Sequence, residues 1–285
     1  MAESIDNFSY ERTFQRLNRR LRRLWKYYLK WPAPLWKLRG YAKLRLAGFD
    51  FKFPIANENL WWARRVRQDK WERTVREFLK EALRPGDVFF DVGAWIGAYT
   101  LLAAKLVEPR GWVYSFEPDP VARRMLEKAL AANRISNVTV LPYAVTGREG
   151  SAWLEALELG ASESTVSQKE GSIKIQTVTL KGFCEKHRVY PSAIKVNAMG
   201  EEPQIVADAI DILRRTRVVL LTFEDKLLRR VGADPSAFFQ SLFDLQRRII
   251  VLHQKHREGP QAGTELTPEA TATGYMKLLL LEESA

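Results

Sequence analysis

The chain alternates short apolar segments with amphipathic ones over most of its length, and this alternation constrains its fold most strongly. Apolar segments such as Val88–Val92 and Val218–Phe223 predict buried strands, and the amphipathic segments between such strands predict helices. Alternation at this density is typical of a mostly parallel sheet with helices on both faces. Further strands are predicted at 112–116, 138–141, 193–196, 248–252 and 275–281, and helices at 69–83, 98–107, 120–132 and 202–213.

Two regions fall outside this alternation. Residues 43–53 alternate apolar and polar side chains and predict one or two short strands, and residues 151–179 predict a small strand-containing insertion near the edge of the sheet. A length of 285 residues is enough for one large domain. We therefore predict one domain over residues 46–285, preceded by an extension over residues 1–45.

The extension carries most of the net charge. Residues 1–45 hold twelve Lys and Arg against three acids, which gives +9 of the total +11. Apolar residues recur at steps of three and four from Tyr10 to Trp31, so a basic amphipathic helix is predicted over residues 10–31. Such a helix could pack on the domain or on a partner helix, or bind an anionic membrane surface. Nucleic acid is a less favoured partner, because no motif that reads DNA or RNA is found.

Several classes of protein are excluded by composition. A single cysteine rules out an internal disulfide framework, and three histidines do not complete a zinc site by themselves. No metal is expected. Because no apolar run reaches the roughly 20 residues that span a bilayer, and the N-terminus is unlike a signal peptide, the expected location is the cytoplasm, with a peripheral membrane position as the alternative.

One turn between a strand and a helix carries most of the functional signal. Asp91 stands near the end of the strand Val88–Val92, Gly93 and Ala94 follow in a turn, and Gly97 opens the next helix. Glycines at such positions allow a tight turn and the close approach of a ligand. A pyrophosphate-binding turn would have glycine where this chain has Asp91. Because the carboxylate would repel a pyrophosphate, the turn favours a ligand that carries positive charge.

A second acid follows the next predicted strand. Glu117 comes twenty residues after Gly97, directly after the strand at 112–116. A carboxylate there accepts hydrogen bonds from the ribose hydroxyls of an adenosine-containing ligand. In a parallel sheet, Asp91 and Glu117 would lie side by side at the carboxyl edge, where open α/β sheets bind ligands. A nucleoside with a cationic tail and no phosphate describes S-adenosylmethionine, which is therefore the predicted cofactor.

These residues belong to a longer pattern that resembles the FkbM-type S-adenosylmethionine-dependent methyltransferases, which have the Rossmann-like class I fold. The resemblance extends from about Trp61 to Leu252. It rests on short motifs distributed along the chain: Trp71-Glu72, Asp91-Val92-Gly93-Ala94-Trp95-Ile96-Gly97, Phe116-Glu117-Pro118, Asn133, Ala144-Val145, Thr177-Val178-Thr179-Leu180, Ile194-Lys195-Val196, Gly200, Glu202 and Glu224.

The resemblance implies an α/β, Rossmann-like methyltransferase sheet and a set of roles within its site. Asp91, Gly93 and Gly97 would line the methionine end of the cofactor, and Glu117 would hold the ribose. Glu72, in the helix before the first parallel strand, is a candidate for the cofactor's amino group, with an ordinary surface acid as the alternative. The predicted cofactor-binding residues are Glu72, Asp91, Gly93, Ala94, Gly97, Glu117 and Ala144.

The chain departs from the family pattern after the fourth parallel strand. Where the family usually has Asp-Val-Glu-Gly-Ala-Glu, residues 197–202 read Asn-Ala-Met-Gly-Glu-Glu. An alcohol acceptor must lose its proton, and Asn197 can hydrogen-bond a ligand but cannot take a proton. Glu202 and Glu224 are therefore the candidates for proton transfer, and the predicted catalytic residues are Asn197, Glu202 and Glu224.

Members of the family methylate hydroxyl groups of sugars, glycolipids or natural products, so the resemblance implies an O-methyltransferase with a small-molecule or glycan acceptor. The alternative is a catalytically impaired protein of the same fold that acts as a binding module through its basic N-terminal helix. The replacements at Asn197 and Met199 favour the module, whereas the retained Asp91 and Glu117 favour the enzyme. A tRNA or rRNA methyltransferase is a lesser alternative. The sequence does not identify the acceptor, because variable insertions such as 151–179 build acceptor pockets in this fold.

Overall fold

The computed structural model describes residues 40–56, 59–155, 160, 164–167, 173–254, 260–270 and 274–282. Its contacts divide the chain into two units, Met1–Tyr41 and Ala42–Ala285. The predicted basic helix over residues 10–31 lies outside the described residues, so its membrane and partner roles stay predictions. Strand β1, Tyr41–Leu46, crosses the predicted boundary between residues 45 and 46. The division into domains also stays a prediction.

Strands and helices alternate along the second unit as the sequence pattern predicts. The strands are β1 (Tyr41–Leu46), β2 (Phe49–Pro54), β3 (Val88–Val92), β4 (Trp112–Phe116), β5 (Val138–Leu141), β6 (Tyr143–Val145), β7 (Gly150–Glu155), β8 (Thr165–Ser167), β9 (Ile173–Val178), β10 (Ala193–Val196), β11 (Val218–Glu224), β12 (Arg247–Gln254), β13 (Glu265–Leu266) and β14 (Tyr275–Glu282). The helices are α1 (Leu60–Arg67), α2 (Arg73–Ala82), α3 (Ala98–Leu106), α4 (Pro120–Asn133), α5 (Leu180–His187), α6 (Glu202–Asp208), α7 (Ile210–Arg215), α8 (Asp225–Arg230) and α9 (Pro235–Ser241), with a 3-10 turn at Phe243–Leu245.

An eight-stranded mixed sheet forms the centre of this unit, with the strand order β13-β12-β14-β11-β10-β3-β4-β5. The five strands from β11 to β5 in that order are parallel, and β14, β12 and β13 pair antiparallel beside them. Because parallel strands end at one edge of a sheet, the loops after β3, β4, β10 and β11 meet there. The predicted, mostly parallel sheet is confirmed.

Helices cover both faces of the sheet, since the strand side chains alternate between two apolar clusters. Phe90 and Val92 of β3 belong to one cluster, which also contains Phe183 of α5. Phe89 belongs to the other cluster, together with side chains of α2 and α3 such as Leu79. Burial on both faces is the reason that these strands are apolar at nearly every position.

Some helices differ from the prediction. Helix α2 begins at Arg73 and not at Asp69, because Glu72 has a φ of 42°, in the left-handed region. The single helix predicted over 202–213 is two helices, α6 and α7, since Ala209 leaves the helical region with a φ of −111° and a ψ of 22°. The short helices α1, α8 and α9 were not predicted.

Two smaller elements border the sheet. Strands β1 and β2 form a two-stranded sheet, and β2 packs on α4. There the side-chain amide of Asn133 acts as a strand partner: it accepts the Lys52 N–H at 2.8 Å and donates to the Lys52 carbonyl oxygen at 2.7 Å. The insertion predicted over residues 151–179 is part of a separate four-stranded sheet with the order β6-β9-β7-β8. This sheet begins earlier than predicted, at Tyr143, directly after the edge strand β5.

Candidate active site

A cavity of about 470 Å³ opens at the carboxyl edge of the parallel strands. Its volume is within the range of small-ligand sites, about 300–1,000 Å³. We refer to the part lined by the loops after β3 and β4 as the β3–β4 end, and to the part lined by the loops after β10 and β11 as the β10–β11 end. Seven of the ten predicted site residues line the cavity: Glu72, Gly93, Ala94, Glu117, Ala144, Asn197 and Glu224.

Glu117 lies at the β3–β4 end, where two backbone hydrogen bonds fix its carboxylate. Its Oε2 accepts the N–H of Trp95 at 2.6 Å, and its Oε1 accepts the N–H of Asp119 at 2.9 Å. Glu117 is only 7% exposed, and burial raises its pKa to about 7 although both N–H groups act in the opposite direction. Because a carboxylate oxygen accepts more than one hydrogen bond, each oxygen can still accept one from a ligand hydroxyl. A pair of adjacent hydroxyls fits this arrangement.

Asp91 lies behind the cavity wall and does not line the cavity. Its Oδ1 accepts a hydrogen bond from Lys195 Nζ at 2.9 Å, and its Oδ2 accepts one from the Thr100 hydroxyl at 2.7 Å. Lys195 also donates to the carbonyl oxygens of Val92 at 3.1 Å and Gly93 at 2.7 Å. A buried ammonium group needs a counter-charge, and the Asp91 carboxylate supplies it. This geometry differs from the sequence expectation, in which Asp91 touches the ligand.

The loops after β3 and β10 meet at Gly93. Gly93 has a φ of 74°, and a Cβ atom there would lie 2.0 Å from the carbonyl oxygen of Asn197. The N–H groups of Gly93 and Ala94 both donate to the carbonyl oxygen at the end of β4, at 3.0 and 3.1 Å. Glycine alone satisfies the positive φ and the close approach together. Gly97 does not line the cavity. A Cβ atom added at Gly97 would lie 2.2 Å from a methyl carbon of Leu126 on α4, so the glycine leaves space for that side chain.

The small sheet supplies an apolar side to the β3–β4 end. Ala144 of β6, Leu154 of β7 and Val166 of β8 line the cavity beside Glu117. No charged residue from the described part of this sheet lines it. An apolar surface in the same cavity as the Glu117 carboxylate suits a nucleoside, whose base is flat and apolar on its faces.

Glu72 lines the cavity from the turn before α2. Its carboxylate accepts hydrogen bonds from the hydroxyls of Tyr99 and Tyr275, the latter at 3.0 Å, and Lys277 Nζ lies 3.9 Å away. Burial alone would raise the pKa of Glu72, but the charge of Lys277 and the two hydroxyls lower it overall. Glu72 is therefore ionised at neutral pH. A contact with the amino group of a cofactor stays a prediction.

Tryptophan side chains form part of the wall at the same end. The rings of Trp61 and Trp95 are stacked, with centroids 6.1 Å apart and an interplanar angle of 22°. Trp62 packs edge-on against Trp95, with centroids 5.8 Å apart. The Trp95 indole N–H donates to the Gly160 carbonyl oxygen at 2.8 Å. These contacts hold the turn that presents the Trp95 backbone N–H to Glu117.

The three predicted catalytic residues have different positions. Asn197 and Glu224 line the β10–β11 end, and neither side chain makes a hydrogen bond or ion pair within the described residues. Glu202 does not line the cavity: its carboxylate is buried and accepts the N–H groups of Ala198 at 2.7 Å and Gly200 at 2.8 Å. Burial raises the pKa of Glu202. Its carboxylate holds the loop after β10, and proton transfer by Glu202 stays a prediction that this position does not favour.

Several cavity residues were not predicted. Lys195 was detectable as a lysine within an otherwise apolar strand, a local sign of a buried charge. Tyr275 had no such signal, because its partner Glu72 is 203 residues away in the chain. His253 also lines the cavity, with its ring centroid 6.4 Å from that of Tyr275. His256 lies outside the described residues.

The described residues offer neither a metal site nor a reactive thiol. They contain no group of three or more His, Cys, Asp or Glu side chains that could hold a metal ion. Burial raises the pKa of the Cys184 thiol to about 12, so this cysteine is not a thiolate at neutral pH. Among the same residues, no helix has the length and apolar character needed to cross a bilayer.

Known proteins are similar to this chain over more than half of its length. The family described as the methyltransferase FkbM domain matches residues 91–251, which is more than half of the 285-residue chain. The hexuronic acid methyltransferase AglP of Haloferax volcanii is 25% identical over 193 residues, which cover 67% of this chain and 74% of AglP.

Solved structures also resemble this chain at low identity. A precorrin-6y C5,15-methyltransferase from Geobacter metallireducens is 14% identical, with a TM-score of 0.44 and coverage of 75% of this chain and 89% of its own. A methyltransferase FkbM from Methylobacillus flagellatus is 13% identical, with a TM-score of 0.44, and the match covers 72% of this chain and 50% of that protein. The family match over residues 91–251 confirms the resemblance found in the sequence: the chain belongs to the FkbM methyltransferase family and is an S-adenosylmethionine-dependent methyltransferase with a Rossmann-like fold.

Proposed function

We propose that the protein transfers the methyl group of S-adenosylmethionine to a hydroxyl group of a saccharide, free or within a glycolipid or natural product. The observation that carries this proposal is the buried Glu117 carboxylate, held by two N–H groups in a cavity. The other end of this cavity has polar side chains without a hydrogen-bond partner among the residues that the structure describes. The similarity to a hexuronic acid methyltransferase supports a sugar acceptor.

The residues of the β3–β4 end fit this cofactor. Glu117 would accept hydrogen bonds from the two ribose hydroxyls, and Ala144 with its apolar neighbours would contact the adenine. The turn at Gly93 would leave space for the methionine part, and the ionised Glu72 would face its amino group. Asp91 would act indirectly, by neutralising the buried ammonium group that supports the turn.

The strand order supports an acceptor position at the opposite end. Since β4, β3, β10 and β11 are consecutive neighbours, a ligand held at Glu117 and extending over Gly93 would finish beside the β10–β11 end. The cofactor supplies a methyl group on a sulfonium. The side chains around the acceptor contribute mainly by positioning its hydroxyl in line with that methyl group.

Glu224 is our candidate for the group that accepts the hydroxyl proton. It is the last residue of β11, lines the cavity and makes no hydrogen bond within the described residues. Asn197 would hydrogen-bond the acceptor from the neighbouring loop but cannot take its proton. A carboxylate at Glu224 thus supplies the function that the amide at Asn197 lacks.

Calorimetric titration with S-adenosylmethionine tests the cofactor site. We expect the wild type to bind and Glu117→Ala to lose about 100-fold in affinity or more, because two hydrogen bonds to a charged group are removed. Glu127→Ala, at an exposed acid on α4, is the matched control and should bind like the wild type. Equal affinity of Glu117→Ala and the wild type would refute the location of the site.

Methyl transfer from labelled S-adenosylmethionine to a panel of saccharides tests Glu224. Glu224→Gln should lower the rate by roughly 10²-fold or more, the usual contribution of a general base, and leave cofactor affinity within about twofold. Full activity of this variant would remove Glu224 as the proton acceptor, and the absence of any saccharide product would overturn the proposed acceptor class.

A further inference from the structure

Two basic residues of α8 line the β10–β11 end. Lys226 and Arg230 are four positions apart, so they lie on the same side of the helix, and both line the cavity. Both are exposed, and neither makes a hydrogen bond or an ion pair with another described residue. Their positive charge is therefore uncompensated where an acceptor would enter.

The cations deeper in the cavity are different in this respect. Lys195 is paired with Asp91 at 2.9 Å. Lys277 lies 3.9 Å from the carboxylate of Glu72 and donates to Thr222 at 2.7 Å. The protein neutralises these interior cations itself. The exposed Arg65 of α1 also lines the cavity without an ion pair among the described residues, but its guanidinium donates to the Lys70 carbonyl oxygen at 3.2 Å, whereas Lys226 and Arg230 have no hydrogen bond there.

The rest of the β10–β11 end does little to balance that charge. Asn197 and Met199, which line it from the loop after β10, are neutral. The nearby carboxylate of Glu202 is turned into its own loop. Among the described residues of the β10–β11 end, Glu224 at the end of β11 is the one acid that lines the cavity. Two cations, Lys226 and Arg230, line the same end.

We infer that the acceptor is an anionic saccharide, and that Lys226 and Arg230 bind its carboxylate or phosphate group while Glu224 faces its reacting hydroxyl. This inference rests on the proposed function. An arginine binds carboxylate and phosphate groups through two parallel hydrogen bonds, and a lysine adds a point charge. A neutral loop at Asn197 and Met199 suits the same ligand, because an acid there would repel it.

The test compares binding of three probes to the protein saturated with S-adenosylhomocysteine, by ligand-observed NMR titration. The probes are methyl glucuronide, glucose 6-phosphate and methyl glucoside, which separate carboxylate, phosphate and neutral sugars. The wild type should bind at least one anionic probe about tenfold more tightly than methyl glucoside. Lys226→Gln combined with Arg230→Gln should abolish this preference and leave the affinity for S-adenosylhomocysteine unchanged.

Arg124→Gln combined with Lys128→Gln is the matched control, because these residues form an exposed basic pair four positions apart on α4, away from the cavity. It should keep the preference. Equal affinity for all three probes, or no binding of either anionic probe, overturns the inference, as does a preference that survives in the α8 variant. A loss of S-adenosylhomocysteine affinity in the α8 variant also overturns it, since the cations would then hold the cofactor's carboxylate. Failure of the proposed function is distinguishable, because it appears as a wild type that does not bind S-adenosylhomocysteine at all.

Discussion

The β3–β4 end and the β10–β11 end of the cavity lie on the same sheet edge, but their polar side chains are used in different ways. At the β3–β4 end, the two oxygens of Glu117 and the two of Asp91 already accept hydrogen bonds from the protein. At the β10–β11 end, the side chains of Asn197, Glu224 and Lys226 have no such partner within the described residues. The protein therefore forms the first end by its own hydrogen bonds, whereas the polar groups of the second end are available to a ligand. This division suits a cofactor that is always the same and an acceptor that varies within a family.

The buried ion pair behind the β3–β4 end gives the largest expected effect. Lys195→Met leaves the Asp91 carboxylate buried without a counter-charge, and Asp91→Asn leaves the ammonium group in the same state. Each change should lower the free energy of unfolding by roughly 3–5 kcal/mol, measured by urea denaturation. The double variant carries neither charge and should recover much of that loss.

An exposed pair provides the control for this prediction. Arg248 Nη2 lies 2.6 Å from Glu265 Oε2, and the two side chains are 39% and 47% exposed. Glu265→Gln should therefore lower the free energy of unfolding much less than either change in the buried pair. Similar losses for the buried and the exposed pair would show that the β3–β4 end is not held by its interior charges.

Replacement of Gly93 tests the contact between the two ends. Gly93→Ala places a Cβ atom 2.0 Å from the Asn197 carbonyl oxygen at a positive φ, so we expect a destabilisation of about 2–4 kcal/mol and a loss of cofactor affinity. Gly86→Ala is the control, because Gly86 also has a positive φ, 92°, but nothing lies within 4 Å of its added Cβ. If both variants behave alike, the backbone conformation and not the close approach explains the glycine.

The pH dependence of cofactor affinity isolates Glu117. Burial raises its pKa to about 7, so the carboxyl is mostly neutral at pH 6 and mostly ionised at pH 8. Because the ionised carboxylate accepts hydrogen bonds from the ribose hydroxyls better than the neutral carboxyl, the affinity for the cofactor should rise about tenfold from pH 6 to pH 8. Glu117→Gln should bind weakly and show no such rise. A flat profile in the wild type would contradict the role of its ionisation.

The smallest expected effect is at Asn197. Asn197→Asp adds an acid to the β10–β11 end, and it should weaken binding of the preferred anionic probe about threefold through repulsion at a partly solvated site. Affinity for methyl glucoside and for S-adenosylhomocysteine should stay within about twofold. Tighter binding of the anionic probe would show that the charge at this position does not select the acceptor.

Strands β3, β4, β5 and β10 have the bounds that the sequence predicts, since each is a short, mainly apolar segment between turn residues. The placement of Glu117 at the cavity follows from the same pattern, because the end of a parallel strand fixes which edge its next residue occupies. The break before α2 does not follow from this pattern, because helical periodicity continues through Glu72, where the backbone has a φ of 42°.

The sequence by itself thus determined the parallel sheet, the turn at Gly93, the acid at Glu117 and the membership of a methyltransferase family, because apolar periodicity and short motifs are local properties of the chain. Only the tertiary structure decided that Asp91 is neutralised by Lys195, 104 residues away, and that Glu202 closes its own loop. It also decided that Lys226 and Arg230 line the cavity without a partner among the described residues. The physical reason is that a charged side chain acquires its role from the partners that folding brings to it, and those partners are distant in sequence.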